Sequence, residues 1–124
     1  MLIGACALSA AGALVFNVAP AFLASAALRH ALDDEQVGWL GSSYGAGFAL
    51  VAATSFFWIA RLNWRRVAML GTAWSASSLA ACAVAPSRAL LLGAMFAAGL
   101  GLGALYTVGN AIVSENHDPA IFFL

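Results

Sequence analysis

Four long stretches free of charge, at roughly 2–28, 37–60, 67–87 and 89–113, occupy almost the whole chain of 124 residues. No Asp, Glu, Lys or Arg lies inside any of them. An apolar run of about 18 residues or more is long enough to cross the ~30 Å hydrocarbon core as a helix. The five basic and five acidic side chains all fall between the stretches or after the last. The expected fold is all-α: a polytopic transmembrane helical bundle forming a single membrane region over 1–124.

Composition agrees. Hydrophobic residues make up 64% of the chain and charged residues 8%, against roughly 25% charged in a soluble domain. The formal net charge is zero, so there is no basic field to attract nucleic acid. The first stretch lacks a basic leader and is about twice as long as the ~7–15 apolar residues of a signal peptide. It is expected to be a retained helix. Cys6 and Cys82 both fall within apolar stretches and are expected to be small buried residues rather than a disulfide or ligands.

The links are short: Arg29 to Gln36, Arg61 to Arg66, and Pro86 to Arg88. Short links predict that successive helices are antiparallel neighbours. Basic residues favour the cytoplasmic side. Arg61, Arg65 and Arg66 share one link, whereas Arg29 and Arg88 lie on the opposite side. The N-terminus and the second link are therefore expected in the cytoplasm, in a multi-pass cell membrane protein, most simply of a bacterial inner membrane.

Within the first link, Asp33 and Gln36 have the spacing of a capping box for the second helix, and Asp34 and Glu35 favour its positive end. Three acids adjacent in sequence converge poorly on one ion, so no metal site is expected there. His117 beside Glu115 and Asp118 reads as a solvated loop rather than a zinc site. Asp118 and Pro119 resemble the start of a further helix near 119–124.

Small residues mark where transmembrane backbones approach closely. Gly41 and Gly45 form a GxxxG in the second span, with Gly38 on the same face. Gly71, Ser75, Ser78 and Cys82 align along the third. Gly99 and Gly103 form a second GxxxG in the fourth, continued by Tyr106 and Asn110. Gly41, Gly45, Gly99 and Gly103 are thus the expected packing residues. Residues 99–104 also satisfy G-x-G-x-x-A, but the dinucleotide fingerprint needs a preceding strand, so no nucleotide or other cofactor is expected.

Among polar groups in the spans, Asn17 and Asn110 either bond between helices or line a cavity. Asn17 is followed by Pro20, which can loosen the backbone. Tyr44, Tyr106 and Thr107 are similar candidates. Trp39, Trp58 and Trp64 lie near span ends, where tryptophan anchors at the interface. No charged side chain is embedded, so ion coupling would need groups outside these spans. There is no Ser/His/Asp set, no HExxH and no pair of intramembrane acids, so an enzyme is not expected.

The run from Asp33 to Leu50 resembles the second-helix entry of many bacterial major facilitator superfamily transporters. The family's next loop carries a glycine, three residues, Asp, a basic residue, any residue, glycine, any residue and two basic residues. Arg61, Arg65 and Arg66 match its basic positions, while Phe56 and Asn63 replace the glycines and Ala60 replaces the aspartate. The segment from Gly99 to Tyr106 is similar to the family's glycine-rich fourth helix. Met95 stands where proton-coupled members often carry Arg. The resemblance spans about 10–120.

It implies the N-terminal part of a twelve-span secondary carrier, working by alternating access on a small-molecule solute and completed by the remaining transporter helices. It further implies that helices one and four line the cavity, making Asn17, Tyr106 and Asn110 the candidate substrate-facing residues, and that Arg61, Arg65 and Arg66 belong to a gating loop. Alone, such a piece is expected to be inactive. Two other readings fit the length: a complete four-span oligomer like the small multidrug exporters, and a membrane partner subunit that does not transport. The exporters carry an embedded Glu on their first helix, and residues 1–28 contain no acid.

Overall fold

A computed structural model describes residues 2–116, apart from the side chains of 2, 5, 8, 9, 11, 14–20 and 114–116. The further helix expected near 119–124, and His117 and Asp118 before it, lie outside the described residues. Four helices follow one another: α1 (Leu2–His30), α2 (Asp34–Trp58), α3 (Trp64–Val84) and α4 (Arg88–Asn116). Asp34–Trp58, Trp64–Val84 and Arg88–Val113 are each long and apolar enough to cross a bilayer.

Local chemistry sets the helix ends. Ala31 adopts φ 51°, and Leu32 N donates to Ala27 O at 3.0 Å. That is the six-to-one bond of a Schellman motif, with alanine at the left-handed position usually held by glycine. The capping box then starts α2. Asp33 Oδ1 accepts from Gln36 N at 2.9 Å, and Asp33 N donates to Gln36 Oε1 at 3.2 Å. At the far end of α2, Trp58 O accepts from both Arg61 N and Leu62 N. Asn63 caps α3 through Oδ1, which accepts from Arg65 N at 3.0 Å. The cap starts α3 three residues before the apolar run at 67. Ala85 is extended (ψ 121°), as a residue preceding proline prefers, so the helix ends three residues before that run does. Ser87 then receives Leu90 N on its hydroxyl and Leu91 N on its carbonyl as α4 begins.

The packing differs from a series of hairpins. α4 is the central helix and packs extensively on α2, α3 and α1, whereas α1 touches α2 lightly and α2 and α3 share no extensive contact. Successive helices run antiparallel, but the main partner of α2 is the parallel helix α4. The reason is the glycine run of α4, which admits two neighbours to backbone distance. The core joins Ala26 of α1, Leu40 and Tyr44 of α2, Cys82 of α3, and Leu91, Met95, Ala98 and Leu102 of α4. Met95 is 1% exposed, so it is sealed within apolar packing. A second cluster, Val108 and Ile112 with Trp58 and Val67, closes the end of the bundle near the α2–α3 loop.

Candidate functional site: the faces of α4 and the basic loop

Three glycines in five residues give α4 two backbone-level surfaces. Two positions on a helix are separated by about 200°, so Gly101 faces away from Gly99 and Gly103. A β-carbon on Gly99 would overlap Tyr44 O and lie 3.1 Å from Phe48 N; one on Gly103 would lie 2.9 Å from Phe48 O. Both therefore press on α2. Gly101 instead faces Ser75 and Trp74 of α3, and between these surfaces Leu102 reaches Gly12 of α1. Trp74 Nε1 donates to Ala97 O at 2.8 Å, and Ser43 Oγ donates to Leu92 O at 3.0 Å, tying α3 and α2 to the same helix.

On α2 the intimate residue is Gly47, which the GxxxG spacing does not single out. Its β-carbon would overlap Phe96 O and lie 3.0 Å from Leu100 N. A β-carbon on Gly41 would instead lie 3.8 Å from Leu23 Cδ1 of α1, and one on Gly45 would meet nothing within 4 Å among the described residues. The expected packing role of Gly41 and Gly45 is thus not where α2 and α4 meet. Helix phase explains the shift, because the face through Leu40, Ser43, Tyr44, Gly47 and Phe48 is the one turned to α4. A glycine whose partner lies on another helix leaves no spacing signal in its own. On α3, by contrast, Gly71, Ser75, Ser78 and Cys82 are all buried.

Beyond Gly103, α4 stays in contact with α2 through Tyr106 on Phe48 and through Val108 and Ile112 on Trp58, but Tyr106 and Asn110 turn partly outward. Tyr106 is 48% exposed and stands beside Phe48, ring centroids 5.5 Å apart at 53°. Asn110, one turn on, is also exposed. Thr107 satisfies its own hydroxyl by donating to Gly103 O at 2.7 Å. Tyr106 and Asn110 therefore form one polar patch, with Asn110 close to the depth of Val67 in the first turn of α3.

Asn17 lies elsewhere. Its side chain is outside those described, but its place on the α1 axis follows from Gly12 opposite Leu102. With α1 antiparallel to α4, Asn17 is level with about Ala97, roughly 20 Å along the axis from Asn110 at 1.5 Å per residue. The chain brings Tyr106 and Asn110 together and leaves Asn17 at a different depth.

Tyr44 has a different environment. It is 7% exposed, and its enclosed hydroxyl has no hydrogen-bond partner among the described residues, as is true of Ser75 Oγ. An unmet buried hydroxyl costs about 1–3 kcal/mol.

The basic loop borders a cavity of about 610 Å³ between the end of α2, the start of α3 and the last turns of α4. Arg61 and Arg65 line it, whereas Arg66 does not. The guanidinium carbon of Arg65 lies 5.4 Å from the centroid of the Trp64 ring. Asn63 occupies the position of a family glycine and serves instead as the α3 cap. On the opposite side, Arg29 Nη1 donates to Ala83 O and so caps the last turn of α3.

Compared with known families, residues 1–120 match the model described as Major Facilitator Superfamily. The searches of curated proteins and of solved structures found no match.

Proposed function

From the premise that the chain belongs to the Major Facilitator Superfamily, a family of membrane transporters, we propose that it forms part of the N-terminal half of a secondary carrier. It is a multi-pass membrane protein of transporter type, set in a lipid bilayer and serving a small solute. In the proposed reading, all four helices cross the membrane as one region, with the N-terminus and the α2–α3 loop in the cytoplasm. The positive-inside rule supports this orientation through Arg61, Arg65 and Arg66.

The single observation carrying the functional reading is the polar patch of Tyr106 and Asn110. Both residues are exposed on α4, beside its contact with α2. Polar groups on an apolar helix are costly against lipid, so this face is the wall of a solute cavity completed by further helices. Asn17 contributes at another depth, toward the other end of the pathway. Alternating access rocks one helix bundle against another about a midplane site, and the loop with Arg61, Arg65 and Arg66 contacts the moving partner. With no charge in these spans, a neutral or amphipathic solute fits best.

Residues 1–124 alone provide one wall of such a cavity and are expected not to transport. The test is uptake into liposomes of a sugar, an organic acid and an amphipathic cation by the purified 124-residue chain. Absence of saturable flux is the expected result. Saturable flux would instead support a four-span oligomer that assembles its own pathway.

A further inference from the structure

We propose that the cavity beside the basic loop binds a phosphate group carried by an anionic amphiphile, most simply the headgroup of an anionic phospholipid. This is separate from the transport reading, since it concerns retention of a ligand by the chain itself.

The cavity is polar on one side and apolar on the other. Arg61 and Arg65 supply its charge and the exposed Leu62 and Trp64 its apolar surface, while Trp58, Val108 and Ile112 border it from the packed end of the bundle. No acid occurs among the described residues that line it. Arg65 lies over the Trp64 ring, and no carboxylate pairs with it among the described residues.

The charges are also placed against the local field. α3 opens with Trp64, Arg65 and Arg66 and has no acid in its first turn. A helix N-terminus is its positive end, where cations are disfavoured and anions favoured. Two arginines there, with Arg61 across the cavity, concentrate positive charge that an anion offsets. Guanidinium groups match phosphate oxygens in geometry. A free phosphate would satisfy the arginines but leave the exposed Leu62 and Trp64 side chains wet. A headgroup with an acyl chain satisfies both, and basic pockets between transmembrane helices are suited to such headgroups.

The experiment is native mass spectrometry of the protein, released from nanodiscs of equal phosphatidylglycerol and phosphatidylcholine. Wild type is expected to retain phosphatidylglycerol preferentially. Arg61→Gln and Arg65→Gln are each expected to lower that preference about fivefold, in line with the contribution of one basic residue at a lipid surface. Arg66→Gln removes the same charge from outside the cavity and is expected to lower that preference clearly less than either.

Equal retention of the two lipids, or an equal fall in all three variants, would overturn the proposal. So would no change in the Arg61 and Arg65 variants, the result expected if Glu115, the nearest acid along α4, were their partner. A parallel arm adds inorganic phosphate in excess. Undiminished retention assigns the site to lipid, and displacement assigns it to a soluble phosphate.

Discussion

The backbone of Gly99 in α4 rests on the carbonyl of Tyr44 in α2, leaving no room for a β-carbon between them. Here, and where Gly47 faces Phe96, the two helices meet at backbone level. This makes α4 the helix around which the others are arranged.

Gly99→Ala and Gly47→Ala should therefore each force α2 and α4 apart. The clash is with backbone, which cannot rotate away, so the expected loss is about 1–3 kcal/mol, as for other overpacked cores. Gly45→Ala meets nothing within 4 Å among the described residues and should be neutral or gain up to about 1 kcal/mol from helix propensity. Thermal midpoints of the three variants in one detergent check the order. Equal losses in all three would mean that the glycines act through something other than this contact.

Tyr44→Phe removes a buried hydroxyl that has no partner among the described residues. It should stabilise the bundle by about 1 kcal/mol, the lower end of the cost of an unmet buried group. The measurement is again the thermal midpoint. A fall would show that the hydroxyl is bonded to a group beyond the described residues.

Asn63→Ala removes the α3 cap and should cost about 1 kcal/mol, whereas Asn63→Gly should cost only a few tenths. Asn63→Asp should gain, because it keeps the cap and places a negative charge at the positive end of α3, beside Arg65 and Arg66. Midpoints in low and high salt test the last point, since the gain from aspartate should shrink as salt screens it.

What the sequence made legible was local. The Asp33–Gln36 capping box needs only residues three apart, and it forms at the predicted place. The stripe of Gly71, Ser75, Ser78 and Cys82 lies on one helical face and is buried as a unit. What stayed hidden was pairing between helices. Short links say which helices are adjacent in order, but not that α4 would separate α2 from α3. Gly47 could not be found by counting along α2, since its partner is Phe96 on another helix. Tyr106 and Asn110 were legible as polar groups in an apolar run. Their separation in depth from Asn17 required the register of α1 on α4, which Gly12 and Leu102 define.

The central claim is that the exposed face of α4 at Tyr106 lines a water-filled pathway rather than facing lipid. The direct test is labelling by a membrane-impermeant maleimide, in native membranes, of Tyr106→Cys and Leu70→Cys, with Cys6 and Cys82 replaced by Ala. Leu70 lies at a similar depth, because its neighbour Gly71 packs on Leu105, and it is 71% exposed on the outer face of α3. The account predicts rapid labelling at position 106 and almost none at position 70. Equally slow labelling at both would place Tyr106 against lipid or protein and contradict the cavity.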